Sequence, residues 1–248
     1  MIHFNPIRFD QVQSTNELAI QRIAEGKALE GDVIVTSWQT HGKGHADNVW
    51  ESEPHKNLLC SIIFRPHHIS PASQFVLTQV VSLGAMAAIK KLVPKETCSV
   101  KWPNDLYIND KKVGGILFQN TIRGHLIDYS VAGIGINVNQ EHFSDELPNP
   151  ISIINTITEE LDLDLFLDAI TLSIDKYYQL TTTEQGLNRL NQRYLDELFR
   201  INEWCTYQKG ETVFEGRIKG VDEFGRLSVE QRNGQQYWFQ FKEITYLF

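Results

Sequence analysis

The chain has 248 residues, 42% of them apolar and 22% charged, ordinary values for a folded globular protein that exclude a disordered chain. Its net charge is −8 and it has no long basic run, which argues against sequence-independent nucleic-acid binding, where clustered Lys and Arg displace counterions. The length suits one large domain, or a main domain with a small appendage.

Met1 to Arg8 carries no long apolar run, so no secretory signal is expected. Ser14-Thr15-Asn16-Glu17 has the form of a capping box, opening a helix that runs to about Glu25 and stops at Gly26. Val33 to Trp38 and Leu58 to Phe64 are strand-like runs, the second ended by Arg65-Pro66. Ser70-Pro71 reads as the cap and first turn of a long helix reaching about Leu92. Its most apolar stretch, about Phe75 to Ile89, contains Thr78, Gln79 and Ser82 and reads as too short and too mixed to span a bilayer.

Val100 to Ile108 and Lys112 to Gln119 read as the two arms of a hairpin, with Asn109-Asp110 as its turn. Pro103 fixes its own φ and biases Trp102 towards an extended backbone, so Asn104 and Asp105 sit on a stiff corner. Lys112 follows the turn, with Gly114 and Gly115 beside it, where a side chain would block a ligand or a neighbouring backbone. An amide, a carboxylate, a cation and bare backbone on one hairpin suit an anionic ligand without naming it.

Leu126 to Val138 reads as one long strand interrupted by Gly133 and Gly135. Helices are expected over about Asp164 to Leu180 and Glu184 to Phe199, with Asp162 and Asp164 as helix starters. From about Glu203, short alternating runs (Thr212 to Lys219, Arg226 to Glu230, Gln235 to Phe241, Ile244 to Leu247) are separated by Asp222-Glu223-Phe224-Gly225 and Asn233-Gly234. Asn-Gly between such runs is a hairpin signal, so a small β-barrel-like C-terminal domain is expected. Cys60, Cys98 and Cys205 are odd in number and far apart, which suggests neither a disulfide framework nor a zinc site and leaves the cytoplasm as the default location.

In this order, Ser14-Thr15-Asn16; Gln39-Thr40-x-Gly42-x-Gly44 with Trp50-Glu51-Ser52; Asn57-Leu58 leading to Phe64-Arg65-Pro66; Lys101-Trp102-Pro103-Asn104-Asp105; Lys112 with Gly114-Gly115-Ile116-Leu117; and Gly133 to Asn139 resemble the biotin protein ligases across nearly the whole chain. The resemblance implies an α+β fold: a mixed β-sheet backed by helices, similar to class II aminoacyl-tRNA synthetases, over residues 1–200, and a small SH3-like β-barrel over residues 201–248. It implies that biotin and ATP, with Mg²⁺, give biotinoyl-5′-AMP and pyrophosphate. A lysine of the biotin carboxyl carrier domain of a biotin-dependent carboxylase then attacks the mixed anhydride. No tightly bound cofactor is implied. Because the catalytic segment starts almost at Met1, no N-terminal helix-turn-helix is expected, and hence no DNA binding. No membrane association is expected, and exposed edge strands could support a homodimer.

Residue by residue, the resemblance places biotin against Ser14, Thr15, Asn16, Gln39, Gly42, Lys43, Trp50, Lys112, Gly115, Leu117 and Gly133. A buried ureido ring needs donors and acceptors, which Ser14, Thr15 and Gln39 can supply, although Ser14 and Thr15 also suit a helix start. The nucleotide would meet Lys43, His45, Asn104, Asp105, Ile136 and Asn137, with Asp105 as the Mg²⁺ ligand. Lys112 is the catalytic candidate, because a carboxylate attacking an α-phosphate brings two anions together and a fixed ammonium offsets the repulsion. The family's basic glycine-rich loop is altered here to Gly42-Lys43-Gly44-His45-Ala46-Asp47, and the expectation is weaker retention of the anhydride. Two alternatives are a non-catalytic protein that binds biotin or its nucleotide ester, and a lipoate or octanoyl transferase.

Overall fold

Leu58–Phe64 (β3) is buried along its whole length, as a strand covered on both faces must be. The structure is a computed structural model that describes residues 1–44 and 49–247. β3 sits inside a seven-stranded sheet with β1 (Asn5–Val12), β2 (Asp32–Gln39), β4 (Cys98–Lys101), β5 (Asp105–Ile108), β6 (Lys111–Arg123) and β7 (Leu126–Ile136). The strand order is β1-β2-β3-β7-β6-β5-β4; β1 and β2 run parallel and every other pair is antiparallel. Side chains alternate between the faces, so Ile63 packs with Ala19 of helix α1 (Thr15–Ala24), while Ile62 and Phe64 join the larger core on the other face. That core holds α2 (Phe75–Leu92), α3 (Leu163–Gln179) and α4 (Glu184–Asp196). Gly84 lets α2 and α3 approach closely, since a Cβ there would lie 2.5 Å from Ile174 Cγ1.

The structure revises several expectations. β1 has the right alternation, Ile7 and Phe9 inward and Arg8 and Asp10 between them, but the signal is short and lies on a half-exposed edge. Val100 to Ile108 is not one strand. It turns back on itself at the cis Trp102–Pro103 corner, so that Lys101 pairs with Asp105 in an antiparallel β4–β5 ladder. The turn at Asn109 holds, with that residue in the left-handed region at φ 54°. β7 runs without a break through Gly133 and Gly135. Helix α2 and its leading turn, Pro71–Leu92, form a 22-residue helical stretch that is long and apolar enough to cross a membrane by length and composition. It is therefore not too short, but 61% of its most apolar window is buried inside the protein.

The C-terminal strands β8 (Trp204–Lys209), β9 (Thr212–Val221), β10 (Leu227–Gln231), β11 (Gln236–Phe239) and β12 (Thr245–Leu247) form a second, antiparallel sheet in the order β11-β10-β9-β8-β12. Its end strands do not pair, so the expected barrel is not closed among the described residues. Tyr207, Ile218, Leu227, Val229 and Phe239 fill its interior. Trp102 joins it to the main sheet: the indole Nε1 donates to Gly225 O at 2.9 Å, and the ring lies edge-on to Phe241, with centroids 6.0 Å apart.

Candidate active site

Where β6 and β7 cross the start of α1, a cavity of about 430 Å³ opens, walled on its far side by the turn into β12. It takes in twelve of the residues named from the sequence: Ser14, Thr15, Asn16, Gln39, Lys43, Trp50, Asn104, Asp105, Lys112, Gly115, Leu117 and Gly133.

One end is built by hydrogen bonds. Ser14 is extended, as an N-cap should be, but its side chain makes no cap bond, so the expected capping box does not form. The first free amide of α1, that of Thr15, instead donates to Gln39 Oε1 at 2.8 Å, and the Thr15 hydroxyl donates to the same oxygen at 3.1 Å. Two donors on one atom fix which end of the Gln39 amide is oxygen, and leave its Nε2 turned elsewhere as a donor. Asn16, only 3% exposed, crosses beneath: its Nδ2 donates to Leu117 O at 3.2 Å and Gln119 Oε1 at 3.1 Å. Ser61 Oγ lies 2.7 Å from Thr15 Oγ1 and 2.5 Å from Asn16 Oδ1, and its one proton serves either. Gly133 is a glycine for this reason, because a Cβ there would run into the Asn16 amide.

The middle of the cavity is a charge pair over bare backbone. Lys112 Nζ lies 2.7 Å from Asp105 Oδ1, with the two side chains 36% and 30% exposed. A register shift in the β5–β6 ladder sets Tyr107 opposite Lys112 and Asp105 opposite Gly115. The Lys112 backbone is fixed on its other side, its N–H donating to Asn149 O at 2.9 Å and its carbonyl accepting from Ile151 N at 3.0 Å. Asn104 locks the corner to β6, its Nδ2 donating to Ile116 O at 2.5 Å while its own carbonyl accepts from Ile116 N. Trp50 lies flat on Gly135, where a Cβ would stand 2.6 Å from the indole; its Nε1 is buried without a partner among the described residues. Lys43 pairs with Glu17 in the first turn of α1.

Three expected residues lie off the cavity. Gly42 packs behind it, against Trp50 and Gln39. Ile136 is fully buried on the opposite face of β7, as strand alternation requires of the neighbour of Gly135. Asn137 is 5% exposed, and its Nδ2 donates to Ile151 O at 3.1 Å, so its amide holds the 151 segment against β7. His45 and Asp47 lie outside the described residues. Among those described, no group of three or more His, Cys, Asp or Glu side chains could hold a metal ion. Among the described residues Asp105, the expected Mg²⁺ ligand, is the one carboxylate of this wall, and it is paired with Lys112.

Lys101, Ile116, Ile134, Gly135, Phe241, Lys242, Ile244, Thr245 and Tyr246 also line the cavity without having been expected from the sequence, and Trp102-Pro103, expected to shape the corner, lines it as well. Burial pushes the Lys101 amine below the ordinary lysine range, against the opposing pull of Asp105. Its Nζ lies 3.3 Å from the Tyr107 hydroxyl and 4.9 Å from the Tyr246 ring centre, on the far sheet. Alternation along β4 could have flagged Lys101; nothing local marks residues 241–246, because their place depends on how the second sheet docks.

Residues 8–137 match the Biotin/lipoate A/B protein ligase family, and residues 201–239 match the Biotin protein ligase C terminal domain. The chain belongs to the biotin/lipoate A/B protein ligase family. Within that family it is similar to the bifunctional ligase/repressor BirA of Escherichia coli, at 31% identity over 224 residues covering 89% of this chain and 67% of the relative. The relative of the same name from Bacillus subtilis is 28% identical over 229 residues, covering 91% of this chain and 70% of its own length. A solved structure, the biotin protein ligase of Aquifex aeolicus in complex with biotin and ATP, shares the fold with a TM-score of 0.80, 24% identity and 98% coverage of both chains. The family's matched region ends at residue 137, so Lys101, Asp105, Lys112 and Gly133 all fall inside it, whereas the 241–246 wall lies beyond both matched stretches.

Proposed function

We propose that the chain is a biotin–protein ligase that makes biotinoyl-5′-AMP from biotin and ATP and transfers the biotinoyl group to a lysine of a carrier domain. The observation that carries this reading is the Lys112–Asp105 pair over Gly115, set between a hydrogen-bonding end and a cationic end of one cavity. The named relatives above support it.

Biotin's ureido ring fits the end formed by Ser14, Thr15 and Gln39, where the Gln39 amide carries both a donor and an acceptor and the uncapped Ser14 hydroxyl can donate or accept. Trp50 and Leu117 flank its apolar body, and Gly115 and Gly133 give it backbone without side chains. Its carboxylate then reaches Lys112. In the first step a carboxylate oxygen attacks the α-phosphorus, a C–O–P anhydride forms, and pyrophosphate leaves with the electron pair of the broken P–O bond. The Lys112 ammonium offsets the approach of two anions and follows the charge that develops between them. In the second step an uncharged acceptor lysine attacks the anhydride carbonyl, an amide C–N bond forms, AMP leaves with the electron pair of the broken C–O bond, and the nitrogen gives up one proton to solvent.

Asp105, the one carboxylate among the described residues of this wall, would hold Mg²⁺ supplied with ATP. The ion would screen the phosphate charge. The acceptor is read as a lysine on an exposed turn of a biotin carboxyl carrier domain, the cytoplasm as the place of reaction, and the division between the two folding units as falling at residues 200/201. The C-terminal family match, which begins at 201, supports that division.

The test is pyrophosphate release on mixing the protein with ATP, Mg²⁺ and biotin, with lipoate in a parallel sample. Release with biotin alone is expected; release with lipoate alone, or with neither, overturns the reading.

A further inference from the structure

We propose that Tyr194 is a positioning residue for adenylate formation: from α4 its hydroxyl holds the Pro103 carbonyl and so sets the corner that presents Asp105 to Lys112. This rests on the ligase reading above.

Residues 138–200 lie outside both family-matched stretches, yet the end of α4 is bonded to the strand that leads into the site. Val100 N–H donates to Glu197 O at 2.7 Å, and Val100 O accepts from Phe199 N–H at 2.9 Å. Further along the same segment, the Tyr194 hydroxyl donates to Pro103 O at 2.6 Å. Lys101 and Trp102, between these two anchors, and Asn104 and Asp105, after them, all border the cavity. The segment from 100 to 103 is thus fastened at both ends to α4 and its C-terminal continuation. Glu197 in turn pairs with Lys90 in the last turn of α2, which ties the fastening to the helical layer.

The settings of donor and acceptor give the contact its weight. Tyr194 is fully buried, with its ring edge-on to Phe75 at 5.5 Å between centroids, so packing fixes where the hydroxyl stands. Burial pushes its pKa well above the ordinary tyrosine range, so the oxygen keeps its proton and remains a donor. Proline has no N–H, so the carbonyl is the only polar backbone group that Pro103 brings to the corner. Beyond it the corner is locked from the other side, where Asn104 Nδ2 donates to Ile116 O and Asn104 O accepts from Ile116 N. Asp105 follows directly, opposite Gly115 in the β5–β6 ladder and paired with Lys112.

Pro103 borders both the site cavity and a second one against the start of α2. Without the tyrosine hydroxyl, its carbonyl would turn towards solvent in one of them, because an unbonded buried carbonyl is costly. The ring fixes φ at Pro103, so the turn falls on its ψ and carries Asn104 and Asp105 with it. Asp105 holds the Lys112 ammonium at 2.7 Å, and a small shift there costs rate rather than biotin binding.

The test measures single-turnover adenylate formation from biotin and ATP, and biotin binding by calorimetry, in wild type, Tyr194→Phe, Asp105→Asn and the double variant. Tyr194→Phe keeps the ring in its packing and removes only the hydroxyl. It should lower the rate about tenfold and leave the dissociation constant for biotin within about twofold of wild type. Full binding stoichiometry shows that each variant folds. In the Asp105→Asn background the same substitution should cost less than about twofold, because the group it positions is already altered. A rate unchanged by Tyr194→Phe overturns the proposal. So does an equal loss in the Asp105→Asn background, which a purely structural weakening would give. Absence of any adenylate from wild type would instead overturn the ligase reading itself.

Discussion

Lys112 Nζ is 2.7 Å from Asp105 Oδ1, and the two atoms lie 3.6 Å and 3.3 Å from where a Cβ on Gly115 would stand. The pair is held by β-ladder register rather than by side-chain packing: the shift in the β5–β6 pairing puts the carboxylate opposite the glycine and its cation three residues earlier on the same strand. The chemical role proposed for Lys112 and the spacer role proposed for Gly115 rest on that arrangement.

Lys112→Ala should lower the single-turnover rate of adenylate formation by about 10²–10³, the cost of removing one preorganised charge from a transition state. Biotin affinity, proposed to be set at the Ser14–Gln39 end, should change far less. Quench-flow for the rate and calorimetric titration for affinity check this; equal losses in both would mean that Lys112 only binds.

Gly115→Ala and Gly133→Ala should fail in different ways. At Gly115 the new methyl touches the far ends of Lys112 and Asp105, so the pair shifts by tenths of an ångström. The expected result is a kcat lower by about tenfold, since small misplacements of reacting groups are costly, with a nearly unchanged melting temperature. At Gly133 the methyl displaces the buried Asn16 amide from Leu117 O and Gln119 Oε1, and the expected loss of stability is about 1–3 kcal/mol by urea unfolding.

Lys101→Met should stabilise the protein at neutral pH. Burial holds the folded-state amine below its unfolded value of 10.5, so folding disfavours the charged form. That penalty is fully present below the folded-state value, shrinks as pH rises through it, and vanishes above 10.5. The stability difference between variant and wild type should therefore narrow with rising pH on the alkaline side. A gap that widens instead would show that the ammonium is net-stabilised where it stands.

Thiol labelling at pH 8 should select Cys205. Burial pushes the Cys60 thiol up to about 12 and the Cys98 thiol up to about 11, and both side chains are closed to reagent, whereas Cys205 is half-buried. Mass spectrometry after brief alkylation of the native protein should find one adduct.

Elements with a complete local signal were legible in the sequence. Leu58 to Phe64 coincides with β3, and Gly26, at φ 67°, ends α1 where a left-handed residue is needed. Asp162 caps α3 through the amides of Asp164 and Leu165. Signals with two outcomes misled: Ser14-Thr15-Asn16-Glu17 has a capping-box pattern, but Gln39, from a strand distant in sequence, reaches the helix amide first. Val100 to Ile108 reads as one run because nothing in it shows that the Trp102–Pro103 corner reverses the chain. In the site, Lys112, Asp105 and Gly115 lie close in sequence and could be read together. Asn137 could not be placed, since its partner Ile151 comes from a later loop. The wall from Phe241 to Tyr246 depends on docking between two sheets, which no local pattern encodes.

Transfer of labelled biotin to a carrier domain, comparing wild type with Lys112→Ala and Lys112→Arg, bears most directly on the central assignment. Wild type should label one acceptor lysine in an ATP-dependent way, Lys112→Ala should fall by at least about 10² in rate, and Lys112→Arg should recover part of that loss through its retained charge. Wild-type rates in Lys112→Ala would contradict the account, because the cation beneath the two reacting anions would then be dispensable.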